Sequence, residues 1–593
     1  MELDTLDRLA ADAFDGYIVR KDLALRFKGQ YPVPTYVGEF LLGRYCASTD
    51  ENEIAEGLGI VELQMRERTV RSGEEELFKS RARERGSVKL IDLITARLDT
   101  TTDSYLATLP SLRLNDVRIH SDLVAANERM LTGGFYAEIQ LQYDATDAQE
   151  KAGRPFGIIS LRPIQLSKRG VLEDLARGRE AFTTEEWKRF LLRSIGLEPD
   201  VLSPRAQDIL ILRMVPFVER NYNMVELGPR GTGKSHLFQQ VSPYSHLVSG
   251  GKATVARMFV NNSTGQRGLV AQYDVVCFDE ISGVSFDQKD GINILKGYME
   301  SGEFSRGRES IRAGGSIAMV GNFEVDVEHQ QRIGHLFGPM PPEMRNDTAL
   351  MDRIHAYVPG WDVPKMGRSL LTDHFGLVSD VLSECWRMLR SENRLAAIQG
   401  RITYGGALSG RDTTAVNRTV NGLLKLLYPA GQISVGEEEL EWAVRLAMEC
   451  RRRVKEQQKR IGSAEFRNTH FSYQLGESGV ERFVVTPELQ SEDAIGTDPL
   501  PPGQVWAIGP GGPDEGAGLY RVDVNEGPGS GVRIINVPAP GPFRESVKYG
   551  EQNLLVRARE LVGDREPRQL EFTVQLRAFD APKSGAYLGL PVL

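Results

Sequence analysis

At 593 residues the chain exceeds what one hydrophobic core supports, so about three or four domains are expected. Hydrophobic residues at 41% and charged residues at 26% are the proportions of folded globular domains and exclude a disordered or collagen-like chain. The net charge of −9 argues against a uniformly basic nucleic-acid binder, while leaving room for local basic surfaces facing a channel.

From the N-terminus, LDRLAADAF, VPTYVGEFLLGRYCA and VKLIDLITARL space their apolar residues at helical intervals, so residues 1–130 read as a mostly helical region. FYAEIQLQYDA (135–145) and FGIISLRPIQLS (156–167) then alternate apolar and polar residues around a turn-rich segment, and 131–180 reads as a small β-element, a candidate for DNA contact or oligomerisation. TTEEWKRFLLRSIG predicts a helix capped by Thr183, with Glu186 three residues on. Between 224 and 358 the apolar runs MVEL, TVARMFV, DVVCFDE, SIAMVGN and IHAYVPG are separated by segments long enough for helical crossovers, the pattern of a parallel sheet; 181–370 is the expected α/β nucleotide-binding domain. Residues 371–465 return to helical periodicity and read as a helical lid, whose last helix ends in a basic run from Arg451 to Arg460. In 466–593 a Pro/Gly-rich segment precedes the strands RIINVPA and LEFTVQLRAF, which flank the helix SVKYGEQNLLVRARELV, giving a second α/β domain. The four cysteines form no CxxC pair, and no stretch approaches about 18 apolar residues, so a cytoplasmic protein without metal–thiolate, disulfide or membrane segments is expected.

The chemistry concentrates in Gly228-Pro229-Arg230-Gly231-Thr232-Gly233-Lys234-Ser235, a G-x-x-x-x-G-K-[ST] phosphate loop between the run MVEL and a predicted helix, SHLFQQV. Its glycines let successive N–H groups face phosphates, Lys234 is placed for the β- and γ-phosphates of ATP, and Ser235 for Mg2+. Asp279 and Glu280 close the apolar run VVCF, where ligands gather in open α/β sheets; Asp279 is expected to help hold Mg2+ and Glu280 to orient and deprotonate the attacking water. Asn322, ending SIAMVGN, is the expected amide sensor of the γ-phosphate. Arg353 precedes the last run and is expected to act on a neighbouring subunit's γ-phosphate, with Arg345 as the alternative. Arg411, near the start of a lid helix, is expected to report nucleotide state to the lid, with Arg418 as the alternative. An arginine acting in trans requires head-to-tail subunits, hence a closed homo-oligomeric ring, expected to be hexameric. Arg306, Arg308 and Arg312 lie in a Gly-rich segment read as a pore hairpin, suited to a phosphodiester backbone but equally readable as an exposed turn. Lys79, Arg81, Arg83 and Arg85 are interleaved with acids and read as well as a solvated helix face.

KGQYPVPTYVGEFLLGRYCAS, ELGPRGTGKSHLF, CFDEISGVSFDQKDGINILKGYMESGEFSRG and the C-terminal segment together resemble the BrxL family, the Lon-related AAA+ proteins of BREX bacteriophage-defence systems, from near residue 1 to 593. The resemblance implies an AAA+ core similar to the MCM motors, assembled as a ring or stacked rings and acting on DNA alongside other BREX components; duplex DNA is the expected form, with single-stranded DNA left open, and base-specific recognition is not expected because no DNA-reading motif is legible in the first 130 residues. It also implies a Lon-protease-like C-terminal α/β domain, with Ser584 of AFDAPKSGAYLG at the turn of the protease serine. In Lon proteases a lysine roughly 40 residues downstream activates that serine. The sequence ends at Leu593 before such a lysine; Lys583 is a sequence neighbour facing the other way, and Lys548 lies in the preceding helix, so proteolysis is not expected and assembly or partner contact is. An ATP-dependent protease and a nucleotide-dependent scaffold are the competing functions.

Overall fold

The computed structural model describes residues 3–27, 29–147, 153–164, 170–261, 267–286, 289–306, 309–323, 336–431, 434–461, 466, 470–476, 479–486, 499–509, 518–535 and 541–580. The chain divides into two compact units, Met1–Gly462 with Asn468–Thr486, and Ser463–Arg467 with Pro487–Leu593.

The first unit opens with helices Thr5–Ala13, Lys21–Phe27, Thr35–Tyr45, Glu51–Arg68 and Glu75–Arg85. Asp4 and Asp7 form a reciprocal capping box on the first, satisfying amides that the helix itself leaves unpaired. The mostly helical reading then fails. Ser87–Asp99, which contains VKLIDLITARL, is a strand, and with Ser104–Leu109, Leu114–Ile119, Phe135–Tyr143 and Phe156–Pro163 it closes a five-stranded barrel. Leu90 and Ile94 enter the barrel core while Ile91 packs into the neighbouring core. Burial on both faces removes the simple alternation of a strand, and the apolar spacing then imitates a helix. The boundary expected at 130 therefore runs through one barrel, whose last two strands are the expected β-element.

Thr183 and Glu186 form the expected capping box on helix Thr184–Ser194. Five parallel strands follow in the order Ala356–Pro359, Asn223–Gly228, Ser316–Asn322, Val275–Phe286, Ser245–Ala253, which is 5-1-4-3-2 by sequence. Val225, Leu227, Ile317 and Met319 fill the core on one face, and Met224, Cys277, Ala318 and Val320 the other, as a parallel sheet covered on both sides requires. The second strand is Ser245–Ala253, not TVARMFV, in which Thr254 caps a short helix, Val255–Met258.

Helices Ser379–Leu389, Gly410–Leu427 and Glu437–Ile461 make up the helical region after the sheet. Its basic run is not a solvated face: Arg451 and Arg453 are fully buried. Strands Ser472–Leu475 and Arg482–Phe483 pair with one another, and the former with Ile402–Tyr404, so they belong to the first unit and the boundary expected at 465 is too early.

The second unit holds a four-stranded sheet ordered Gln504–Gly509, Gly518–Pro528, Leu570–Asp580, Gly531–Ile534. The last two named are parallel and joined through helix Gly541–Val556, whose Phe543 and Val547 pack on Tyr520, Val522 and Val574. Among the described residues no helix is long and apolar enough to cross a membrane.

Candidate nucleotide site

The strand Asn223–Gly228 is fully buried and delivers the glycine-rich loop at its C-terminal end. Gly228 ends the strand because its backbone lies against Gly360: a Cβ there would stand 2.6 Å from the Gly360 carbonyl carbon. Pro229 is half-buried, and Arg230 and Gly231 are exposed at the loop's crest. Gly233 turns the chain into helix Lys234–Gln240 with φ +71°, a conformation that favours glycine, and a Cβ there would press on the Met366 side chain at 3.0 Å. Lys234 is buried; its ammonium donates to the Pro229 carbonyl at 2.7 Å and to Thr232 Oγ1 at 3.3 Å. Burial lowers its pKa, with Glu226 pulling the other way. Ser235 follows, half-buried.

Beneath the loop lies a pair that the motif did not reveal. Arg213 Nε and Nη2 donate to the two carboxylate oxygens of Glu226 at 2.8 and 2.5 Å, and Nη1 donates to the Thr232 carbonyl at 3.2 Å. Both side chains are almost wholly shielded from solvent. Glu226 stands inside the apolar run MVEL, and a carboxylate in a strand buried on both faces demands a cationic partner; that was the available signal.

Asp279 and Glu280 lie where the pairing of Ser245–Ala253 with Val275–Phe286 is interrupted: Ser249 opposes Asp279, and the next pair is Gly251 with Val284. Glu280 sits in this bulge with φ +50°, unusual for a residue with a side chain, and its N–H donates to Asp279 Oδ1 at 3.0 Å. Its side chain is exposed, just beyond Phe278, the last residue of this strand to pair with Ser316–Asn322; the strand itself runs on to Phe286, so the acidic pair does not close it as expected. Asn322 is half-buried and in register with Gly228, and the Phe323 N–H donates to the Gly228 carbonyl at 3.1 Å. The loop, the Asp279-Glu280 pair and Asn322 thus occupy one end of the sheet.

Arg353 and Arg411 occupy the other. Asn223, at the start of the loop strand, donates from Nδ2 to the carbonyls of Met299 at 2.9 Å and Arg353 at 3.3 Å. The six residues from Asn223 to Gly228 span about 17 Å at roughly 3.3 Å each. Arg353 is ion-paired to Glu300 at 2.8 Å, and Arg411 bonds Glu300 at 3.2 to 3.3 Å and Asp352 at 2.7 Å. The structure therefore brings Arg353 and Arg411 together and does not place Arg411 at its own chain's phosphate loop. Of the alternatives, Arg345 donates to the Gly338 carbonyl and Arg418 to the Asn221 carbonyl.

The Gly-rich segment forms the expected hairpin, Glu303–Arg306 paired with Glu309–Arg312, in which Arg312 is ion-paired to Glu303. Arg306 lies on its first strand; Arg308 falls outside the described residues, as does Ser584. Lys548 is exposed on helix Gly541–Val556, without the burial that would make it a base. In the cluster around Lys79, the lysine pairs with Glu76 and Arg81 stacks on Phe78, as on a solvated helix face.

Two family models match the chain: "Lon-like protease BrxL-like, ATPase domain" over residues 156–472 and "BREX system Lon protease-like protein BrxL N-terminal" over residues 12–143. Over 555 residues the chain is 42% identical to a Lon-like protease BrxL of Escherichia coli O9:H4 (strain HS), covering 93% of this chain and 79% of that protein. Over 518 residues it is 42% identical to a Lon-like protease BrxL of Bacillus cereus (strain H3081.97), covering 87% of this chain and 76% of that protein.

Proposed function

The chain belongs to the BrxL family, and from that premise we propose that it is a ring-forming AAA+ ATPase coupling ATP hydrolysis to motor or remodelling work on DNA in BREX-type phage defence. The observation that carries the reading is the division of one sheet, ordered 5-1-4-3-2, into a phosphate end and an arginine end. At the first, Lys234 and the loop amides bind and orient the phosphates, Asn322 holds the γ-phosphate or the attacking water, and Glu280 takes that water's proton. The hydroxyl of Ser235 and the carboxylate of Asp279 are hard oxygen donors that fit Mg2+, which when bound neutralises phosphate charge. Arg353, a strand's length from its own loop, is useful only to another subunit's phosphate, and a head-to-tail contact that closes makes a ring, in this reading a hexamer or stacked rings. Its charge offsets what develops on the transferring phosphoryl group.

Support for DNA comes from the Glu303–Arg312 hairpin and from the barrel, since five-stranded barrels of closed Greek-key type bind oligonucleotides. Three of the barrel's arginines are ion-paired within it: Arg97 to Asp116, Arg118 to Asp144 and Asp147, and Arg154 to Asp99. In this reading the phosphates of a duplex displace these acids, a contact that positions the DNA without reading its bases. The free, buried cysteines fit a cytoplasmic setting, and other BREX components are the expected partners. The name of both relatives, Lon-like protease, favours a second reading, an ATP-dependent serine protease; exposed Lys548 weighs against it.

The test is ATPase rate against protein concentration, with duplex DNA or with casein. Cooperative hydrolysis stimulated by DNA, with casein intact, upholds the motor; DNA-indifferent hydrolysis with casein cleavage lost in Ser584→Ala replaces it with the protease.

A further inference from the structure

Arg353 and Arg411 come from distant parts of the sequence, yet both guanidinium groups converge on one carboxylate, that of Glu300 near the end of helix Lys289–Ser301. Their anchorage differs sharply from their tips. Asp352, the residue before Arg353, and Asp412, the residue after Arg411, both grip the fully buried Arg451, at 3.0 and 2.8 Å. Lys455 adds a 3.1 Å contact to Asp412, and the Arg353 carbonyl is held by Asn223. The two backbones are thus fixed by a buried charge network, while Glu300 and Arg411 are 40% and 50% exposed. The Arg353 Nε is buried and has no partner among the described residues.

Two guanidiniums this close repel one another unless an anion lies between them, and the fork that accepts a carboxylate also accepts a phosphate. We infer that Glu300 is a removable internal anion, occupying a two-arginine phosphate site that the nucleotide of a neighbouring subunit takes over when the ring closes. This rests on the reading of Arg353 as a trans-acting arginine and adds to it Arg411 as a partner in the same site and Glu300 as a brake on assembly. Arg451 is a positioning residue for both. Exchange of one anion for another leaves the arginines paired throughout, so neither guanidinium is stranded, and the displaced Glu300 carboxylate, already 40% exposed, is left to water.

The experiment is the protein concentration giving half-maximal ATPase, measured for wild type, Glu300→Gln, Glu300→Ala, Arg353→Ala, and the Glu300→Gln, Arg411→Ala double variant, with binding of a fluorescent ATP analogue as a control. Exposed ion pairs are weak, so freeing the arginines is expected to lower the midpoint about three- to tenfold in both Glu300 variants, and Arg411→Ala to cancel most of that shift. An unchanged or raised midpoint in the Glu300 variants, with Arg353→Ala inactive but binding the analogue, overturns the brake and leaves the trans arginine standing. Full activity of Arg353→Ala overturns the trans arginine itself.

Discussion

Arg213 clasps Glu226 directly under the phosphate loop, closing both carboxylate oxygens and the Thr232 carbonyl with one guanidinium. Glu226→Gln leaves a buried guanidinium short of its counter-charge, a loss on the order of 3–5 kcal/mol. The expected result is a lower melting temperature for the first unit and weaker nucleotide binding. An unchanged melt together with unchanged affinity shows that the clasp does not brace the loop.

Lys234→Ala is expected to abolish ATP binding. Glu280→Gln is expected to bind ATP while hydrolysing it about 10²- to 10⁴-fold more slowly; ordinary turnover in single-turnover kinetics removes Glu280 from the mechanism. Glu280→Gly tests the φ of +50° as well. It should raise thermal stability by up to about 1 kcal/mol as it abolishes hydrolysis, because backbone strain at this residue is relieved while the carboxylate proposed as the base is lost.

Lys234→Ala and Arg353→Ala are each expected to be inactive alone. Mixed, they should regain part of the activity, since one brings an intact phosphate loop and the other an intact arginine to the junction between them. No recovery after mixing, with mixed assemblies demonstrated by pull-down, means Arg353 acts within its own subunit.

Asp380 is buried with its Oδ1 unpaired, and burial, with the Glu39 carboxylate nearby, pushes its pKa up to about 6. The folded state therefore holds this proton more tightly than the unfolded chain, whose aspartate has a pKa near 4. Its contribution to stability is full below about pH 4, falls as pH rises to about 6, and is then constant, a change on the order of 3 kcal/mol. Asp380→Asn should flatten that part of the stability–pH curve in urea titrations; an identical curve in the variant assigns the dependence elsewhere.

Ser584→Ala is expected to leave ATPase rate and phage restriction unchanged. Loss of restriction with folding preserved makes the serine functional and restores the protease reading.

The phosphate loop, the acidic pair and the polar end of SIAMVGN were legible because their chemistry requires particular residues in a short span. What escaped was set by distant partners. SHLVSGGKA carries small and polar residues that lower its intrinsic strand preference, and it is a strand because Val275–Phe286 lies beside it. VKLIDLITARL is a strand because Phe135–Gln142 pairs with it along most of its length. Arg451 and Arg453 look like solvated charges in a linear sequence, and only the fold shows Asp352, Asp412 and Glu449 waiting for them.

In the proposed ring, with the phosphate loop at one end of strand Asn223–Gly228 and Arg353 held beside the other, a defective copy would spoil a junction whose other half is healthy. In genetic terms, an Arg353→Ala allele expressed beside the wild type should be dominant, depressing phage resistance below what the remaining normal copies alone would give.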